Sequence, residues 1–273
     1  MNSLTLEIYL FYAAVAIYCI SAIAYIAFFV IKNERFCKIG EITLFAAFLV
    51  HTLALGVRTV EARRLPLTNQ YEFATSFAWG IALVTIIFKR KFRFKALGAI
   101  VCPLLVIIIG YAALQNKQIN ELMPALQSNW LSIHVGTAII SYGSFGVAFG
   151  VAFLYLIRDL IKDKNFVEEH LPKCEILDLI GYRAIALGFI FLTLVMVTGA
   201  IWAERAWGHY WSWDPKETWS LITWFIYAIY LHVRISKGWS GKKAAWFALI
   251  GFICVIFTYI GVNTFIPSLH SYA

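Results

Sequence analysis

The chain has 273 residues, of which 61% are hydrophobic and only 14% charged. Soluble chains run at roughly 45–50% and 25%, so a soluble globular fold is excluded. The net charge of +8 sits in short basic clusters between apolar runs, a pattern of membrane orientation that argues against a nucleic-acid partner.

In chain order, eight apolar runs, each close to the length a helix needs to cross a hydrocarbon core, predict an all-α integral membrane protein. They fall at about 4–31, 39–57, 71–88, 96–114, 131–157, 183–202, 217–234 and 244–263, within a single polytopic membrane domain, 1–273. The first run lacks a basic stretch before it and a small-residue cleavage site after it, so it is expected to stay as the first span rather than leave as a signal peptide. With the N-terminus outside, inner segments hold seventeen basic residues, and outer ones hold six: Arg58, Arg63, Arg64, Lys117, Arg205 and Lys216. The positive-inside rule then sets both termini on the outer side.

The five cysteines form no CxxC pair and none falls in an outer segment, which argues against structural disulfides, a zinc knuckle and thiol redox chemistry, and the absence of CxxCH excludes a c-type cytochrome. The topology sorts the six histidines. His134 at the start of the fifth span, His209 in the loop before the seventh and His270 in the tail share the outer face. His232 lies deep in the seventh span toward the inner side, His51 is within the second, and His170 is in an inner loop.

Six of the ten tryptophans (Trp202, Trp207, Trp211, Trp213, Trp219 and Trp224) fall within 23 residues. Indoles at a membrane boundary read first as an interfacial belt. The run Trp207-Gly208-His209-Tyr210-Trp211-Ser212-Trp213-Asp214 also suits a large planar apolar ligand. Asp214, Pro215 and Glu217 match a helix start with a reciprocal cap, which accounts for both carboxylates without chemistry. His232, 18 residues beyond Asp214, is about 27 Å along a helix and shares a face with Thr218, Leu221 and Phe225. It reads either as a hydrogen-bonded packing residue or as a functional intramembrane group. Imidazole is in addition a common iron ligand. Gly136, Gly143, Gly146 and Gly150 permit close helix approach in the span that His134 opens.

The segment 207–219, together with Pro66-Leu67-Thr68-Asn69-Gln70-Tyr71-Glu72 and the terminal Leu269-His270-Ser271-Tyr272-Ala273, resembles the CcsA/ResC family of System II cytochrome c biogenesis. The first motif is that family's tryptophan-rich WWD signature, here an outer loop at about 202–218, and the resemblance runs over residues 40–273. It implies a subunit of a holocytochrome c synthase (heme lyase) that acts with a CcsB/ResB membrane partner. Heme b is then presented at the outer face, and its vinyl groups are joined to the cysteine thiols of CxxCH on apocytochrome c. By position, the resemblance makes His134 and His270 the external heme-iron ligands and His232 one ligand of a transmembrane heme. Trp207, Trp211, Trp213, Asp214 and His209 then contact heme, with no catalytic residue beyond those that position it. It places the chain in a bacterial cytoplasmic membrane, or a thylakoid membrane if plastid-encoded. Two departures stand out: His209 occupies a position where no fixed histidine is expected, and the tail lacks the usual glycine before Leu269-His270. Arg58, Arg63, Arg64, Arg205 and Lys216 are candidates for the heme propionates, or alternatively for headgroups and loop acids. Other readings are a System I type heme-delivery subunit without ligase activity, a diheme electron-transfer cytochrome b and a secondary transporter. His51 is expected to serve packing, the alternative being that it stands in for the missing transmembrane heme ligand.

Overall fold

The structure, a computed structural model, describes residues 3–92, 94–95, 97–161 and 171–266. Eight long helices run through the described residues: α1 Ser3–Ile31, α2 Glu34–Ala62, α3 Gln70–Phe92, α4 Leu97–Ala113, α5 Asn129–Leu160, α6 Cys174–Trp207, α7 Pro215–Lys237 and α8 Lys242–Ile256. All eight predicted spans appear as helices. Six of them (α1, α2, α3, α5, α6, and α8 with its continuation to Phe265) are long and apolar enough to cross a membrane. At 17 residues, α4 is shorter, about 25 Å, and carries Pro103 inside it.

The ends of the helices follow local chemistry. Asn33 caps α2, its side chain accepting from the Arg35 amide at 3.0 Å. Gly238, in the left-handed region at φ 64°, stops α7 with its amide on the Val233 carbonyl, the role glycine fills at helix C-termini. Beyond α8 the helix widens into a π turn over Phe257–Gly261 before a last turn, Val262–Phe265.

The chain forms two compact units, Met1–Ile119 with Arg158–Lys173, and Asn120–Ile157 with Cys174–Ala273. In the first, α1 packs along α2 and α4, and α3 packs against α4 and α2. Tyr25 of α1 is the wedge. A Cβ on Gly40 of α2 would lie 2.9 Å from its ring and one on Gly98 of α4 only 2.5 Å, so the ring fits only because both neighbours are glycine. His51 is fully buried in this unit, with Nε2 2.7 Å from the Thr75 hydroxyl and Nδ1 3.4 Å from the Tyr18 hydroxyl. Both ring nitrogens are thereby engaged, and the residue serves packing.

In the second unit the Phe145 ring of α5 lies flat on Tyr227 of α7, centroids 3.8 Å apart and planes within 5°. Two glycines close the stack. A Cβ on Gly188 of α6 would approach Phe145 to 2.6 Å, and one on Gly251 of α8 would approach Tyr227 to 2.5 Å. Four helices therefore meet through two rings held between two bare backbones, a use of small residues suited to a bilayer, where the hydrophobic effect does little to join helices.

Candidate functional site

One end of the second unit gathers the start of α5, the end of α6 and the loop into α7. His134, in the second turn of α5, is half-buried and points at α6. Its Nδ1 lies 2.9 Å from the Val195 carbonyl oxygen. A carbonyl only accepts, so Nδ1 carries the proton, and in the neutral ring the lone pair falls on Nε2. Gly199, one turn further along α6, makes room for the ring, since a Cβ there would lie 2.8 Å from Cε1 and 2.9 Å from Nδ1. Trp202 stacks with the imidazole at 6.0 Å and 18°, and Trp207 meets Trp202 edge-on at 4.8 Å. The arrangement is an oriented imidazole backed by a buried indole, the orienting hydrogen bond being of the kind that fixes metal-binding histidines.

Gly208 ends α6 at φ 80°, its amide bonding the Glu204 carbonyl at 2.8 Å. The loop that follows is largely exposed. His209 and Tyr210 are exposed, Trp213 is 69% exposed, and Trp211 meets Trp213 edge-to-face at 5.7 Å. Trp213 has φ 60°, a left-handed conformation that is costly for a bulky residue without glycine's freedom. One carboxylate holds it. Glu217 Oε2 accepts from the amides of Ser212 at 2.8 Å and Asp214 at 3.1 Å and from the Ser212 hydroxyl at 3.2 Å. Asp214, buried, accepts from the Lys216 amide at 3.0 Å and completes the reciprocal cap of α7. Both carboxylates therefore build the loop. Arg205 lies 5.8 Å from the centre of the Trp130 ring, tying the end of α6 to the start of α5.

His232 sits near the opposite end of α7, so it and His134 are not brought together. It is exposed, on the same face as Phe225 and Ile229, which are 52% and 49% exposed. Two residues on, Arg234 pairs with Asp178 of α6. His270 lies outside the described residues. Among the described residues no three His, Cys, Asp or Glu side chains converge.

In the first unit the Pro66–Glu72 motif is a charge hub. Glu72 accepts from Arg58 Nε at 3.0 Å, Arg64 at 2.7 Å, and the Thr68 amide and hydroxyl at 2.9 Å each. Arg58, fully buried, also faces Glu7 at 3.5 Å and donates to the carbonyls of Lys117 at 3.0 Å and Gln118 at 3.3 Å. Tyr71 donates to Glu7 at 2.5 Å. For Arg58 and Arg64 this is the second of the two readings, pairing with acids of the same unit. Arg205 and Lys216 remain beside the tryptophan loop. Sequence reading missed Val195, Gly199 and Glu7. An acid early in an otherwise uncharged first span was the one signal available for Glu7.

Fold and site together define a multi-pass helical membrane protein with an oriented imidazole and an indole-rich loop at one end of its second unit. The model of the Cytochrome C assembly protein family matches residues 67–270. The chain is 39% identical over 264 residues to the cytochrome c biogenesis protein CcsA of Guillardia theta, spanning 89% of this chain and 87% of that one. It is 34% identical over 330 residues to CcsA of Synechocystis sp., spanning 100% and 99%. Among solved structures it is similar to Cytochrome c Heme Lyase CcmF, with a TM-score of 0.69 at 18% identity. That likeness is one of fold and covers 95% of this chain but about half (47%) of CcmF. The chain belongs to the cytochrome c assembly protein family, and its work lies in cytochrome c biogenesis.

Proposed function

We propose that this chain is the heme-handling subunit of a cytochrome c synthase, presenting heme b to apocytochrome c on the outer face of the membrane. The observation that carries the reading is the Val195 carbonyl on His134 Nδ1, which assigns the lone pair to Nε2, the form in which imidazole binds heme iron. At this end of the unit Trp207, packed edge-on against buried Trp202, and the Trp211–Trp213 corner with its exposed Trp213 offer flat apolar surface for a porphyrin. His270 would supply the second imidazole to the iron, and Arg205 and Lys216 would supply positive charge for the propionates. In the bond-forming step each thiol of CxxCH adds across one vinyl group, sulfur to one carbon and hydrogen to the other. Holding the reactants side by side is the main demand on the protein. His232, exposed on α7, is one ligand of a heme within the membrane, and a CcsB/ResB partner provides the other.

His134→Ala in the full chain with its partner should lower the heme recovered with the purified complex and abolish cytochrome c maturation, while added imidazole restores part of both. Heme content by pyridine hemochrome and the yield of covalent cytochrome measure this. Wild-type values in both would overturn the assignment.

A further inference from the structure

The first unit holds a half-open cavity of about 400 Å³ that the heme reading does not use. Its floor is Tyr25 and Leu44, its rim Glu41, Lys89, Arg90 and Lys95, and one wall is Phe45 of α2. Three features describe what it is built to take. The first is charge. Lys89 pairs with Glu41, and Lys95 pairs with Glu34 at 2.9 Å, which raises the Lys95 pKa and keeps it an ammonium ion. Arg90 has no ion-pair partner among the described residues; its guanidinium lies 5.5 Å from the centre of the Phe45 ring. Three cations against two carboxylates leave one positive charge at the rim.

The second feature is the floor. Tyr25 is fully buried and clamped between Gly40 and Gly98, Lys89 sits 5.0 Å from the centre of its ring, and its hydroxyl has no hydrogen-bond partner among the described residues. The hydroxyl is enclosed by the helices, so the floor is rigid and the polar contacts open to a ligand are those of the rim. The third is the wall. Phe45 belongs to a stripe of α2 with Ile42, Leu49 and Leu53, all between 41% and 69% exposed, at helical spacing. The cavity thus opens onto an apolar helix face and not only toward water.

We infer that this cavity seats the phosphate of one anionic phospholipid, with the acyl chains running along the Ile42–Phe45–Leu49–Leu53 face. A single phosphodiester matches the single surplus cation, its oxygens accept from Arg90 and Lys95 at the rim, and basic recesses between membrane helices are a recurrent form of headgroup site. A porphyrin is less well served, because the lining residues offer neither imidazole nor sulfur to iron.

The test uses the full chain, purified from nanodiscs of phosphatidylcholine with phosphatidylglycerol and examined by native mass spectrometry. One phosphatidylglycerol per chain should persist under activation that strips other lipids. Arg90→Gln and Lys95→Gln should each cut its occupancy by about fivefold, the effect expected of one surface cation. Tyr25→Phe, which preserves packing and removes only the enclosed hydroxyl, and Lys237→Gln in the other unit should both leave it unchanged. Equal retention of phosphatidylcholine, or occupancy insensitive to both rim variants, would overturn the proposal. Displacement of the lipid by inorganic phosphate that itself stays bound would reassign the site to free phosphate. Displacement by hemin at one per chain would reassign it to porphyrin.

Discussion

At the residue scale the decisive contact is between an imidazole and a helix backbone. The Val195 carbonyl already serves α6, and its second lone pair takes the His134 Nδ1 proton. Substitution of Val195 leaves that carbonyl in place, so the useful probe is the glycine beside it. Gly199→Ala puts a methyl 2.8 Å from Cε1 of the ring, where the imidazole has to swing off its hydrogen bond. Heme recovered with the complex should fall toward the level of His134→Ala while α6 stays folded, as helix content by circular dichroism and hemochrome on one preparation will show. Unchanged heme content would mean that ring orientation does not matter. His134 was legible in the sequence because a histidine at the mouth of a span is chemically conspicuous. Gly199 and Val195 were not, since the contact joins positions more than sixty residues apart and neither side chain carries chemistry of its own.

At the scale of the element, the tryptophan loop is held by the helix it precedes. Glu217 draws the amides of Ser212 and Asp214 onto one carboxylate oxygen, so the first turn of α7 and the strained Trp213 backbone are set together. Removing such a cap costs about 0.5–2 kcal/mol, whereas asparagine caps as well as aspartate. Asp214→Asn should therefore keep cytochrome c maturation near wild type, and Asp214→Ala or Glu217→Ala should lower it and make the loop more susceptible to proteolysis. If Asp214→Asn fails as badly as Asp214→Ala, the charge itself is needed and Asp214 does more than cap. The helix start was readable from Asp-Pro-Lys-Glu alone, because caps are local. The reach of Glu217 back to Ser212 was not, since it depends on the left-handed turn at Trp213.

At the scale of the whole molecule, the eight helices were foreseeable from apolar run length, and the interior of each unit was not. The Gly188–Phe145–Tyr227–Gly251 stack draws one residue from each of four helices, and no periodicity within a single helix marks them as neighbours. Gly188→Ala or Gly251→Ala should lower the thermal unfolding midpoint of the detergent-solubilised protein, in line with the about 1–3 kcal/mol cost of overpacking a tight core; an unchanged midpoint would show that the helices separate freely there. The excess of basic residues in alternate loops predicts that a cysteine introduced at Ser212 reacts with an impermeant maleimide in intact cells. Reaction only after lysis would invert the topology and remove the route from the tryptophan loop to an external apocytochrome.

The Arg58 hub bears on how the chain is made. Glu7 emerges from the ribosome first, and its counter-charge Arg58 follows 51 residues later, roughly 3–10 s at ordinary elongation rates. Glu72 and the accepting carbonyls of Lys117 and Gln118 come later still. During that interval α1 holds a carboxylate and α2 then holds a guanidinium that are costly to leave alone in lipid. The Glu7–Arg58 pair can close once α2 is made, so α1 and α2 are expected to leave the insertion machinery together, the carbonyls of Lys117 and Gln118 completing the hub later.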